Sequence, residues 1–241
     1  MFPDPIFWDI TLYEILFFLG LVAALVVFSI YTSKKGMPGT VQNFYLNLSI
    51  AAIAGGYLSA ILFQAVYNFF ETGVFEFAGI TFLGGLIGGA AVFLGAYKLF
   101  AKDEDKKYFN IVLQAAPCGI LLAHAIGRIG CFCAGCCYGI QTDSFLGVKF
   151  PDLPYKVFPT QLFESAFLFI MFAIASYLFF KNKSRNITLY LISYGVFRFL
   201  IEFIRGDYRG EFIISFLSPS QVWSALMIIA GIVLIACKKK I

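Results

Sequence analysis

Charge is scarce in this chain. Of 241 residues, 18 are Lys or Arg, 14 are Asp or Glu and one is His, so charged side chains make up 13%, about half the share of a soluble domain. Apolar residues reach 60% and mean hydropathy is +0.84. This balance excludes a soluble globule and an intrinsically disordered chain alike. The net charge of +4 selects no partner. No polar stretch is long enough for a soluble domain, and the chain carries no low-complexity tract or internal repeat. No basic residue precedes the first apolar run, whereas Asp4 and Asp9 do and Lys34 and Lys35 follow it. That order reverses a signal peptide's, so the run is expected to stay as a membrane helix. What is abundant fits a bilayer: 30 Phe and 13 Tyr suit lipid-facing and interfacial positions, and 22 Gly suit close helix packing.

Seven apolar stretches stand near residues 10 to 31, 44 to 67, 78 to 99, 109 to 133, 159 to 180, 187 to 205 and 217 to 236. Each is long enough for a span of about 20 residues. The fold expected is an all-α polytopic membrane protein of about seven helices, forming one integral membrane domain over residues 1–241. Lys34 and Lys35, then Lys98, Lys102, Lys106 and Lys107, then Lys181, Lys183 and Arg185, and finally Lys238, Lys239 and Lys240 fall in alternate connections. The positive-inside rule makes that side cytoplasmic and puts the N-terminus out and the C-terminus in. The stretch from Tyr138 to Phe158, with Pro151 and Pro154, reads as a small outer-face loop region of short irregular structure. Arg128, Lys149, Lys156, Arg198, Arg205 and Arg209 lie in or near the outer half by this topology, so orientation does not explain them.

An arginine near the bilayer centre costs roughly 2.5 to 3.5 kcal/mol on insertion scales and therefore faces a partner, a cavity or a ligand. In YGVFRFLIEFIRGD, Arg198, Glu202 and Arg205 are spaced i, i+4, i+7, which places them on one helical stripe. An internal ion pair explains Glu202 and one arginine and leaves the other. His124 and Arg128 are again four apart, beside Gly127 and Gly130. A guanidinium clamps phosphate oxygens in a bidentate fork, so the arginines are expected to converge on one phospholipid headgroup. Tyr13 and Glu14 read either as interfacial residues or as part of the same site. In FPTQLFE, Thr160 and Gln161 read as helix-capping groups and Glu164 follows one turn on.

Taken together, Leu12-Tyr13, GITFLGGLIGG, GRIGCFCAGCCYG, FPTQLFE, YGVFRFLIEFIRGD and LSPSQVWSALMIIAG resemble the prolipoprotein diacylglyceryl transferase family. The resemblance runs through most of the chain. It implies a central lipid-binding cavity, with phosphatidylglycerol as diacylglyceryl donor and the lipobox cysteine of a lipoprotein precursor, or another thiol, as acceptor. It also implies a multi-pass protein of the bacterial inner membrane, and roles at Tyr13, Arg128, Gly139, Arg198, Glu202 and Arg205. The chain departs from the family pattern at several places. Cys131 stands for an Asn and Cys136 for an acidic residue in GRxGNFxNGExxG, Leu83 stands for the His of FHGGLIG, and Tyr57 stands for the Arg of GGR.

Four of the six cysteines, Cys131, Cys133, Cys136 and Cys137, form C-x-C-x-x-C-C, and on a continuous helix Cys133, Cys136 and Cys137 would share a face. Small packing side chains, a disulfide near the oxidising outer side, and a thiol activated by Arg128 are all open readings. A metal is disfavoured because the spacing is not the usual C-x2-C pair and adjacent cysteines strain a tetrahedron. Cys118 and Cys237 read as small hydrophobes. The expected chemistry is attack of a thiol on the glyceryl carbon, with Arg128 and Arg198, supported by Arg205, stabilising the leaving phosphate and Glu202 holding Arg198 in position. Arg205 and Gln161 complete the lipid contacts, and His124 replaces the absent family base. No cofactor and no nucleic acid are expected, and the chain is expected to act as a monomer. The competing reading is a non-catalytic paralogue that binds or transports a lipid or small sulfur compound, with a redox-active cysteine cluster.

Overall fold

The structure, a computed structural model, describes residues 5–8, 10–77, 79, 82–183, 185–206 and 217–237, with the side chains of residues 71, 82 and 83 outside that description. Asp4, Asp9, Arg209, Lys238, Lys239, Lys240 and the side chain of Leu83 thus lie outside the described residues. Among the described residues seven α-helices follow in order: α1 (Leu12–Lys34), α2 (Gly39–Thr72), α3 (Phe82–Phe100), α4 (Asp103–Cys133), α5 (Thr160–Phe180), α6 (Asn186–Ile201) and α7 (Pro219–Ala236). Among the described residues six are long and apolar enough to cross a membrane, and the remaining apolar helix, Gly84–Phe100, is shorter. The chain is a polytopic membrane protein.

Burial is inverted relative to a soluble fold. Thr160, Gln161, Glu164 and Asn186 are fully buried, while Phe18 and Leu19 of α1 and Ile229 and Ile232 of α7 are more than half exposed. Apolar side chains cost nothing against lipid, whereas polar ones must find partners inside the protein. The region between α4 and α5 is more regular than its prolines suggest, because β1 (Val148–Lys149) and β2 (Lys156–Val157) pair antiparallel, Val148 with Val157 and Lys149 with Lys156.

The chain forms two compact units, one of residues 1–28 with 113–241 and one of residues 29–112. In the second, α2 and α3 pack closely through small residues: a Cβ on Gly56 would stand 2.9 Å from the Gly85 carbonyl oxygen, and one on Gly89 would stand 3.1 Å from that of Ala52. The glycines of GITFLGGLIGG that lie in α3 therefore serve helix packing. Tyr45 closes this unit by donating its hydroxyl to the Asp105 carbonyl at 2.9 Å.

In the first unit, α1 crosses α4 antiparallel through two reciprocal contacts. A Cβ on Gly20 would lie 2.9 Å from the Ala123 carbonyl oxygen, and one on Gly119 would lie 2.8 Å from that of Ala24. Each helix presents Gly-x-x-x-Ala, which lets the backbones approach where lipid supplies no hydrophobic drive for association. Asn186, at the start of α6, donates its side-chain amide to the carbonyls of Gln114 (2.9 Å) and Ala175 (3.1 Å), which ties α6 to α4 and α5. Placing alanine at Gly20 or Gly119 is expected to cost about 1–3 kcal/mol by overpacking, and leucine more. Thermal unfolding in detergent measures this, and unchanged midpoints would show that the crossing does not depend on these contacts.

Candidate functional site

Glu164 is the centre of the first unit's polar interior. It sits one turn into α5 and is fully buried. Its Oε1 lies 3.0 Å from Nη2 of Arg128 on α4, accepts the Tyr194 hydroxyl from α6 at 2.7 Å, and stands 3.6 Å from Nε2 of His124. His124 also meets Tyr194, with Nε2 3.4 Å from the hydroxyl and the two rings edge to face. The spacing of four between His124 and Arg128 puts both on the face of α4 that looks at α5 and α6. Ser165, next on α5, donates to the Ala125 carbonyl at 2.9 Å and holds α5 in register against that face.

A second ion pair lies where α6 ends. Arg198 donates from Nη1 to Glu202 Oε2 at 2.6 Å and from Nη2 to the Ser220 hydroxyl at 2.8 Å. Glu202 Oε1 accepts the Ser218 hydroxyl at 2.8 Å. Ser218 in turn caps α7: its hydroxyl accepts from Gln221 N, and Gln221 Oε1 accepts from Ser218 N, a capping box. The motif LSPSQ thus starts a helix and fastens the Arg198–Glu202 pair with the same serine.

The single stripe expected for Arg198, Glu202 and Arg205 is corrected. The α-helix stops at Ile201, a 3-10 turn spans Glu202–Ile204, and Arg205 is extended. Arg205 still brings Nε to 3.9 Å from Glu202 Oε2, because a tighter turn keeps i and i+3 nearly eclipsed. Its backbone pairs with Gly139, and Ile140 donates to the Ile204 carbonyl at 2.9 Å. A Cβ on Gly139 would meet the Ile204 carbonyl oxygen at 2.5 Å and the Phe158 and Thr160 side chains at 2.9 Å. Three chain segments meet at Gly139, and only glycine leaves them room.

The capping role expected of Thr160 and Gln161 is likewise replaced. No side chain caps the start of α5. Instead Thr160 donates its hydroxyl to the Cys137 carbonyl at 2.8 Å, and Gln161 donates its amide to the Cys136 carbonyl at 2.5 Å. Those carbonyls belong to the cysteine turn. The α4 helix ends at Cys133, so Cys133 does not share a helical face with Cys136 and Cys137 as a continuous helix would require. Gly135, with φ of 73°, closes a Schellman motif: Gly135 N donates to Phe132 O and Cys136 N to Cys131 O. This folds Cys136 back over Cys131. Cys137 also adopts a left-handed φ of 68°, a conformation that costs a non-glycine residue about 1–2 kcal/mol and that Thr160 and Gln161 hold from outside. The sulfurs of Cys131, Cys136 and Cys137 lie within 4.8 Å of one another, and Cys133 is outside that group. No disulfide joins the described cysteines. Side-chain hydrogen bonds with Cys131 and Cys137, and then burial, hold the Cys136 thiol well above its usual pKa. Arg128 Nη1 stands 3.9 Å from the Cys131 sulfur.

These residues form one electrostatic neighbourhood. Glu164 and His124 each lie within reach of Arg128 and Arg198, from α4 and α6. Tyr13 of α1 lies within reach of Arg128, Cys131, Cys136 and Cys137, brought there because Gly130 lets α1 approach: a Cβ on Gly130 would stand 3.3 Å from the Tyr13 ring. Glu14, its neighbour, is occupied otherwise, accepting the Thr11 amide at 2.6 Å and hydroxyl at 2.9 Å at the start of α1. In the sequence Glu164 stands out only as part of FPTQLFE, and nothing there marks Tyr194, Ser218 or Ser220. A carboxylate on an otherwise apolar helix was the available signal for Glu164. For the others no local pattern exists, because their partners are 16 to 30 residues away.

Residues 5–237 match the family model described as prolipoprotein diacylglyceryl transferase. The chain is 35% identical over 227 residues to the phosphatidylglycerol--prolipoprotein diacylglyceryl transferase of Clostridium tetani (strain Massachusetts / E88), covering 89% of this chain and 87% of that protein. It is 37% identical over 169 residues to the second such transferase of Clostridium perfringens (strain 13 / Type A), covering 65% and 61%. With the transferase of Rickettsia bellii (strain OSU 85-389) it shares 32% identity over 210 residues, covering 80% and 76%.

Replacing Glu164 by Gln keeps its shape and strands the Arg128 charge in the interior. The expected loss is about 3–5 kcal/mol of stability, read as a lower unfolding midpoint in detergent. Tyr194→Phe removes one hydrogen bond to the same oxygen and is expected to cost about 1–3 kcal/mol.

Proposed function

Because the chain belongs to the prolipoprotein diacylglyceryl transferase family, we propose that it moves diacylglyceryl from phosphatidylglycerol to the thiol of a lipoprotein precursor at the bacterial inner membrane. The observation that carries this reading is a pair of buried arginines on separate helices, Arg128 beside Glu164 and Arg198 beside Glu202, both near enough to act on Glu164 and His124. Buried arginines in a membrane are costly. Here Arg128, Arg198 and Arg205 gather with Glu164 and Glu202, and a phosphodiester is an anion that guanidinium forks hold well. Among the described residues the buried Arg128 Nε–H has no hydrogen-bond partner.

In the proposed reaction the acceptor sulfur attacks the glyceryl carbon and the headgroup phosphate departs with the bonding electrons. Arg128 and Arg198, supported by Arg205, stabilise the charge that grows on the phosphate. Glu202 and Ser220 fix the Arg198 fork. His124, oriented by Glu164 and Tyr194, takes the acceptor's proton in place of the base that Leu83 does not supply. Tyr13 borders the lipid, Gln161 supports the wall beside it through the Cys136 carbonyl, and Gly139 keeps Arg205 in place through their paired backbones. The lipid enters a central cavity from the outer leaflet, with the N-terminus outside and the residue 138–158 region on the outer face. The chain forms one integral domain and works as a monomer. The non-catalytic reading gains nothing from the site, since a bare lipid carrier has no use for an imidazole held against a buried carboxylate.

Transfer of radiolabelled diacylglyceryl from phosphatidylglycerol vesicles to a lipobox peptide tests the proposal. Wild-type protein is expected to form the thioether. Arg128→Lys and Arg198→Lys are each expected to reduce the rate by about 10² to 10³, the cost of losing one oriented donor to a developing oxyanion. His124→Asn is expected to flatten the rate's rise with pH, whereas a purely structural histidine would leave the shape of that profile unchanged. No thioether from the wild-type enzyme would overturn the reading.

A further inference from the structure

The three clustered thiols are not used by the chemistry above. Their geometry suits a cation. At a zinc–sulfur distance of about 2.3 Å, tetrahedral ligands stand about 3.8 Å apart, so sulfurs already within 4.8 Å need to close by at most about 1 Å each. The objection that adjacent cysteines strain a tetrahedron is met by the turn: Cys131 arrives from the last turn of α4, the Schellman motif brings Cys136 over it, and the left-handed backbone at Cys137 turns the third sulfur inward. Thr160 and Gln161 clamp the Cys136 and Cys137 carbonyls from α5, an outer support of the kind that metal sites need. Three thiolates with Zn²⁺ carry one net negative charge, and the Arg128 guanidinium 3.9 Å from the Cys131 sulfur offsets it. Cys136 is exposed, so one side of the cluster stays open.

We propose that Cys131, Cys136 and Cys137 bind one Zn²⁺ as three thiolates and leave the fourth position to the acceptor thiol. This rests on the preceding reading only in taking the acceptor to be a thiol. Binding releases the three ligand protons to solvent. The acceptor sulfur then coordinates and is deprotonated by the metal, its proton passing through water to His124, two turns back on α4. The metal-bound sulfur attacks the glyceryl carbon, a carbon–sulfur bond forms, and the carbon–oxygen bond to phosphate breaks with its electron pair going to the phosphate oxygen at Arg128. The thioether leaves the zinc and the fourth position reopens. No oxidant or reductant enters.

The test uses the full chain, reduced, stripped of metal and held in detergent. Titration with Zn²⁺ against a chromophoric chelator is expected to show one tight equivalent per chain, and Co²⁺ to give sulfur-to-metal charge-transfer absorption with tetrahedral visible bands. Cys131→Ser, Cys136→Ser and Cys137→Ser are each expected to weaken Zn²⁺ binding by more than the roughly 10- to 100-fold that an outer support alone contributes. Cys133→Ser and Cys237→Ser are expected to leave it unchanged. Zn²⁺ protection of three thiols from alkylation in the wild type gives the same answer without relying on any variant's folding. Adding a lipobox peptide is expected to shift the Co²⁺ bands, and its Cys→Ser analogue to leave them unchanged. Absent or Cys133-dependent binding overturns the site, and binding without a peptide response overturns the acceptor's place on the metal. A peptide response without diacylglyceryl transfer overturns the function proposed above and leaves the site standing.

Discussion

The contact between Arg128 and Glu164 is the constraint on which the polar half of this protein depends. Two opposite charges, both withdrawn from water and from lipid, tie α4 to α5 at 3.0 Å. Such a pair adds little net stability over an apolar packing of the same volume, but breaking it leaves a charge with nowhere to go. The surrounding groups follow from that penalty. Tyr194 reaches from α6 to hydrogen-bond the same carboxylate oxygen, and His124 approaches it. The helices that supply these groups are therefore fixed in rotation, because turning any of them by one residue would expose a polar group to lipid.

Packing makes that fixed arrangement possible. In a bilayer, helices gain nothing by hiding apolar surface from each other, so α1 and α4 meet through backbone contacts at Gly20 and Gly119. The same economy of side chain at Gly130 brings Tyr13 to the arginine and the thiols. Gly139 performs the corresponding task outside the helices, where it joins the cysteine turn to the segment that carries Arg205. Small residues and buried charges work as one system: the first allow close approach and the second determine which faces approach.

The cysteine turn illustrates how a local rule has a distant effect. A glycine just past the end of α4 produces the Schellman motif, and that motif sets Cys136 over Cys131. The sulfurs would still be loosely held without α5, whose Thr160 and Gln161 bind the turn's carbonyls. Thus residues that read as helix caps in sequence instead organise a neighbouring loop. This is the physical content of the departure from the family pattern at Cys131 and Cys136: two polar positions have become part of a three-sulfur cluster one turn from the arginine proposed to hold phosphate.

Composition and hydropathy by themselves determined the class, the helix count and most helix boundaries, since these follow from a local requirement that backbone polar groups be satisfied inside each span. The buried charges were also legible, as Arg128, Arg198 and Glu202 stand out against apolar neighbours. Tertiary structure alone decided which charge meets which. Glu164 pairs with Arg128 across 36 residues of chain, Ser218 and Ser220 steady Glu202 and Arg198 from another helix, and Arg205 leaves the stripe because α6 ends early. Periodicity reports the face of a single helix and carries no information about the rotation of its neighbour. That rotation is settled by pairing buried polar groups from several helices at once, and the site exists only where those pairings agree.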